Sequence, residues 1–258
     1  MFRIPLSLCA LTTGALLAAT AAQAADINLP PPPQPEITSG WYLRGFVGIG
    51  MNAKADLDYQ TQTNATLQFN SNDDTVFVGG AVGYEFNNWF RFDVSAEYRN
   101  KSRVYALVTY PPGGIDTYEG YLKSYVFLAN AFVDLGTWNC FTPFLGAGVG
   151  GAWNTLSDFF DVNPNGGYGF GRNPDEWHLA YAFYAGLGYN VSKNLKIDLT
   201  YRYLNYGSIT DTVDCNVTCT KDSFKFGSLH SHDIMLGLRW ICCEAPQYVE
   251  ERPLRSKG

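Results

Sequence analysis

Past residue 24, no stretch of this chain has the roughly 18 consecutive apolar residues of a membrane-crossing helix. Charge is scarce as well. Asp, Glu, Lys and Arg make up 16% of the 258 residues, against about 25% in average chains. The net charge of −6 offers no basic field to a nucleic acid, so none is expected as a partner. Histidine occurs three times, never near a cysteine, which removes the usual spacing of a zinc site. The glycine-rich stretch NPNGGYGFGRNP, residues 163–174, lacks the lysine of a phosphate-binding loop. No cofactor or metal is therefore expected.

Glycine and aromatics are abundant. There are 26 Gly, 17 Tyr, 17 Phe and 6 Trp. This composition suits an all-β chain with many turns. The N-terminus carries Arg3, an apolar alanine-rich stretch, and Ala22-Gln23-Ala24, a small-x-small cleavage signature. Residues 1–24 read as a signal peptide and export is expected. Residues 25–40 contain a proline run that reads as a stiff extended linker.

Eight periodic segments follow, at 41–51, 75–86, 89–100, 122–135, 141–153, 178–191, 195–206 and 230–240. Each is close to or longer than the about 9–11 residues that a tilted strand needs to cross a bilayer. Their connections alternate strictly. Long links (52–74, 101–121, 154–177, 207–229) take turns with short ones (87–88, 136–140, 192–194). That is the plan of an up-and-down barrel with periplasmic turns and extracellular loops. It predicts an eight-stranded antiparallel transmembrane β-barrel over 41–240, with residues 241–258 as a periplasmic tail.

Parity separates two faces. One carries apolar residues such as Phe92, Val94, Leu199 and Leu236, without a charge. The other carries Arg44, Glu85, Arg91, Asp93, Glu97, Arg99, Asp134, Lys196, Asp198, Arg202, Asp233 and Arg239, together with many glycines. A midplane Lys or Arg facing lipid costs about 2–4 kcal/mol. The charged parity therefore faces a lumen, where six basic and six acidic groups can pair. Aromatics fall at the two ends of the segments. Trp41, Trp89, Phe90, Phe141, Tyr189 and Trp240 lie by the short turns; Tyr98, Trp153, Trp177 and Tyr203 lie by the long links. Two interfacial girdles are expected.

Five cysteines follow the signal peptide: Cys140, Cys215, Cys219, Cys242 and Cys243. In an oxidising compartment Cys215 and Cys219, on one extracellular link, are expected to form a disulfide. A Cys140 bond to Cys242 or Cys243 would tie the tail to a turn and leave one thiol for an intermolecular bond. Ser228, His230, Ser231, His232 and Asp233 place nucleophile-type residues at the outer end of the last strand. Ser231 and His232 have opposite parity, however, so a polar rim is expected there rather than catalysis.

The segments GWYLRGFVGIG, FTPFLGAGVGGAW, NLKIDLTYRYLNYG and SHDIMLGLRW resemble the opacity-protein-like outer-membrane β-barrel family, described as porin-family or outer-membrane immunogenic proteins. The resemblance covers about residues 40–240. It implies an eight-stranded barrel in the outer membrane, with loops used by some members in adhesion or immune recognition; it does not imply an enzyme, and none is expected. Gly237, Leu238 and Trp240 look like the signal read by the barrel-insertion machinery, although 18 residues follow it here. The expected function is a structural surface protein, its partners being outer-membrane lipid, lipopolysaccharide, the insertion machinery and a host or surface ligand at the loops. A narrow channel for small solutes and a lipid-modifying barrel enzyme are the alternatives.

Overall fold

In the computed structural model, residues 39–54, 56–59, 66–111, 113–162, 167–215 and 222–244 are described. Eleven strands form one antiparallel sheet: β1 (Gly40–Asn52), β2 (Asp56–Tyr59), β3 (Thr66–Asn72), β4 (Thr75–Glu85), β5 (Phe90–Tyr110), β6 (Gly114–Asp134), β7 (Phe141–Val162), β8 (Tyr168–Gly171), β9 (Asp175–Asn190), β10 (Leu195–Cys215) and β11 (Asp222–Glu244). Eight of them close a ring in the order β1-β4-β5-β6-β7-β9-β10-β11. The seam joins the first strand to the last, from Gly40↔Glu244 to Asn52↔Ser231. The expected eight segments are these eight strands.

The short turns are locked locally. Asn87 Oδ1 accepts the Trp89 and Phe90 N–H groups at 3.0 and 2.7 Å. Ser192 Oγ does the same for Asn194 and Leu195 at 3.3 and 3.1 Å. These are Asx- and Ser-type turns, in which a side-chain oxygen replaces a backbone acceptor.

The long links differ from expectation. Residues 101–110 and 114–121 are strand, and Gly113, just before the second, takes φ +107°. Likewise 154–162 continues β7, 207–215 continues β10, and 222–229 belongs to β11. The small strands complete the same wall. β2 pairs with β11 beyond the end of β1, β3 with β5 beyond β4, and β8 fills the slot between β7 and β10 beyond β9. The barrel thus has a second tier above the first. The boundary at 240 also shifts, because β11 runs on to Glu244 with Ile241 buried. The remainder of the proposed tail, the signal peptide and most of the linker lie outside the described residues.

Bulges separate the tiers. On β5 the inward residues are odd up to Arg99 and even from Ser102, the slip falling at Asn100–Lys101. On β7 they change from even (Leu156) to odd (Phe159) at Ser157–Asp158, and on β10 from Tyr206 to Ile209 around Gly207. On β11 the slip lies between Phe226 and Leu229. An added residue turns every later side chain to the opposite face and bends the strand. Below the slips the inside is charged and the outside apolar. Above them Val104, Val108, Tyr118, Phe159, Ile209, Val213 and Phe226 share the inside with Asp116, Asp161 and Asp211, while Lys101, Arg103 and Asp158 stand on the outside beside Ile115, Val162 and Phe170. The lower tier's apolar outer face suits lipid, and the upper tier adds charged groups to its outer face.

Candidate functional site

All twelve predicted lumen charges point inward. Eleven are buried, and Lys196, at the short-turn mouth, has a side chain 19% exposed. They form three levels, each neutral. Nearest the short turns, Arg239 Nη1 meets Glu85 at 2.6 Å and its Nε and Nη2 bind both oxygens of Asp198 at 3.1 and 3.0 Å. Lys196 also reaches Glu85, at 3.2 Å, and Arg91 Nε pairs with Asp134 at 3.1 Å. At mid-barrel Arg44 pairs with Asp93 at 3.0 Å. On the outer level Arg202 binds Glu97 (2.6 and 2.8 Å) and Asp233 (2.6 and 2.8 Å). Arg99 also binds Asp233, through two nitrogens. Such pairing offsets the heavy cost of taking charges out of water.

Uncharged groups of the same parity complete the network, and these the sequence reading did not single out. Asn130 donates to Asp93 (2.7 Å) and Ser95 (2.9 Å), and accepts from the Tyr184 hydroxyl (2.8 Å). Tyr42 donates to Asp93 at 3.0 Å. Their alternation with Arg44 and Glu85-type positions was the signal that could have found them. Aromatic rings cover the remaining guanidinium faces. Arg91 lies 4.3 and 4.6 Å from the centroids of Phe132 and Phe144, and Arg99 and Arg202 lie 4.8 and 4.9 Å from Phe77. These are cation–π distances.

The inward glycines explain how such large groups fit. Five stand directly across the ladder from an inward ring: Gly83 from Tyr42, Gly79 from Phe46, Gly48 from Phe77, Gly146 from Phe132 and Gly186 from Phe144. In each case a Cβ would strike the ring. Small opposite large is how a narrow barrel fills its interior.

The other predicted sites divide. Trp41, Trp89, Phe141, Tyr189 and Trp240 are exposed near the short turns, joined by Trp138; Trp153 and Trp177 are exposed at the other rim. Gly237 faces in, and Leu238 and Trp240 face out. Ser231 is fully buried and accepts from Arg99 Nη2 at 3.0 Å, whereas His232 is outside, 2.7 Å from the Tyr201 hydroxyl. The structure therefore holds this Ser and His apart. The Cys215 side chain and Cys219 lie outside the described residues, as does the Cys243 side chain. Cys140 and Cys242 are free and exposed, which removes a bond between these two. Cys140 adjoins Asn190 of β9, and Cys242 lies on β11, two strands further. Three strand spacings are about 14 Å, beyond the ~7 Å reach of a disulfide. Among the described residues, no cluster of His, Cys, Asp or Glu could hold a metal ion.

Comparison with known proteins agrees with this architecture. An uncharacterized protein of Brucella abortus (strain 2308) is 31% identical over 226 residues, covering 74% of this chain and 78% of the relative. A "Putative adhesin" of Rickettsia conorii is 26% identical over 79% of this chain and 83% of its own length. The crystal structure of the outer membrane protein OprG from Pseudomonas aeruginosa shares the fold, with TM-score 0.50 and 14% identity over 80% of this chain and 98% of OprG. Residues 11–240 match the outer membrane protein beta-barrel domain, and the chain belongs to that family of outer-membrane barrels.

Proposed function

We propose that this protein is a non-conducting surface protein that stands in the outer membrane and holds a rigid β-walled extension outside the cell. The observation that carries this reading is the continuation of the strands past the bulges, where charged groups join the outer face. A barrel that ended at the membrane would not need strands of 21 to 23 residues, such as β5, β6, β7, β10 and β11, when about 9–11 residues cross a bilayer. The adhesin name of the Rickettsia relative supports a role in surface contact. The lumen argues against conduction, because paired charges and rings occupy it at every level. The opposed directions of Ser231 and His232 argue against lipid-modifying catalysis. In this reading the outward rings at the rims contact lipid and lipopolysaccharide, the insertion machinery reads Gly237, Leu238 and Trp240 within β11, and a host or surface ligand meets the upper tier.

Labelling of intact cells with a membrane-impermeant maleimide tests the orientation. Gln68→Cys, exposed on β3, gains label over the parent, and Ser192→Cys, in a short turn, does not. Planar-bilayer recording of the purified chain is expected to show no steady conductance. Steady single-channel currents would favour the channel instead.

A further inference from the structure

The upper tier contains a recess that surface display alone does not use. It opens where β7 bulges at Asp158 and where β8 passes to β9 through residues 172–174. Its volume is about 290 Å³, and Asp158, Phe159, Phe160, Phe170, Gly171 and Asn173 line it. Two of these, Asp158 (φ 53°) and Asn173 (φ 54°), adopt left-handed backbone. Such conformations cost energy and concentrate at functional sites.

The lining has two chemistries. Phe170 is 60% exposed, with Tyr168 edge-on at 5.6 Å and Phe160 as its cross-strand partner. Beside these rings the Asp158 carboxylate is 67% exposed and meets Lys101 at 3.4 Å. Behind Gly171 lies Asp211, only 2% exposed; a Cβ on Gly171 would run into its Oδ2 and into Phe159. Asp211 Oδ1 accepts the N–H groups of Arg172 (3.0 Å) and Thr212 (2.7 Å). Oδ2 has no partner among the described residues. Asp211 faces the barrel interior, so it backs the recess without lining it.

Exposed rings beside a carboxylate and an amide suit a pyranose. Its C–H face packs on Phe170, and its hydroxyls donate to the Asp158 carboxylate and exchange hydrogen bonds with Asn173. The charge selects among sugars. The adjoining cations, Lys101 and Arg172, are already paired with Asp158 and Asp214. Neither pair leaves a cation to hold a sulfated or carboxylated sugar. We propose that this recess binds an uncharged sugar ring, from a glycan of another cell or from lipopolysaccharide of the same outer leaflet. The proposal rests on the display reading, which puts the recess outside the cell.

The test is saturation-transfer NMR on the purified full chain in a zwitterionic, sugar-free detergent. The probes are methyl glycosides of glucose, galactose and mannose, N-acetylglucosamine, a lipopolysaccharide core oligosaccharide and a sulfated heparin disaccharide. Transfer to at least one uncharged sugar is expected. Affinity should fall about tenfold in Phe170→Ala and also fall in Asp158→Asn, both variants keeping heat-modifiable gel mobility. Transfer to the core oligosaccharide rather than the simple glycosides assigns the ligand to the same membrane. No transfer to any uncharged sugar, preference for the sulfated disaccharide, or transfer unchanged in both variants overturns the proposal. Binding by purified protein does not depend on orientation. Failure here with Gln68→Cys labelled on cells rejects the sugar site alone. Binding without such labelling rejects the display reading.

Discussion

Arg99 and Asp233 are 134 residues apart in sequence, yet two guanidinium nitrogens of the first meet both carboxylate oxygens of the second at 3.0 and 3.1 Å. The bond spans the lumen from β5 to β11, across β1 and β4, so it ties the closing strand to the opposite wall. Arg202 shares the same carboxylate and adds Glu97.

Breaking this cluster from one side leaves a buried charge without its partner. Arg202→Met is expected to destabilise the folded barrel by about 3–5 kcal/mol. Adding Glu97→Gln to it should recover part of that loss, because one uncompensated carboxylate is then neutral. Urea titrations in micelles, followed by the unfolding shift in gel mobility, measure both. Equal stability of Arg202→Met and the parent would show that the cluster holds nothing together.

The glycine–aromatic ladder gives a prediction of the opposite kind, too much volume rather than too little. A Cβ at Gly79 would meet the Phe46 ring and come within 2.7 Å of the Ala96 carbonyl oxygen. The ring can turn, but the backbone oxygen cannot. Gly79→Val is expected to cost about 1–3 kcal/mol. Gly113→Ala meets open space but requires φ +107°, and its loss should be confined to the outer turn. Urea midpoints for the first, and proteolysis at the turn for the second, separate them.

The lower tier was legible because one rule governs it. From Arg91 to Arg99, charge and apolar residue alternate without a slip, and lipid on one side makes the assignment of faces unambiguous. The same rule concealed the upper tier. At Asn100–Lys101 the parity changes, so Lys101 and Arg103 look out of phase and the stretch reads as a loop. Yet Val104, Ala106 and Val108 alternate with Arg103, Tyr105 and Leu107, and a second phase in this window would have exposed the strand. The recess could not be read at all. It depends on Asp158 and Phe160 of β7 meeting Phe170 of β8 and Asn173 beyond it, and no local spacing carries that.

Thiol chemistry follows from the strand count between two cysteines. Cys140 and Cys242 are exposed at the short-turn end with β9 and β10 between them. Peptide mapping without reduction is expected to find no Cys140–Cys242 cross-link, and both thiols should accept a small alkylating reagent in purified, reduced protein. A Cys140–Cys242 peptide from monomer would contradict the register of β9, β10 and β11.

Asp211 gives the upper tier a pH dependence whose sign follows from its burial. Desolvation pushes its carboxyl above the usual range, against the lowering by the backbone N–H groups of Arg172, Thr212 and Asn173 and the charge of Arg172. The folded state therefore holds this proton more tightly than the unfolded chain does. The contribution is fully present below the unfolded value of about 3.9 and is lost as pH rises through the raised folded value. Acidification should thus tighten the upper tier around β8 and the outer half of β10. Asp211→Asn mimics the protonated form and should make that region more protected at neutral pH and less sensitive to acid. Hydrogen exchange of residues 170–173 and 209–213 at about pH 4, near the unfolded value, and about pH 7.5, corrected for intrinsic rates, measures this. If Asp211→Asn loses protection at neutral pH, the buried carboxylate is stabilising in its charged form, and the sign argued here is wrong.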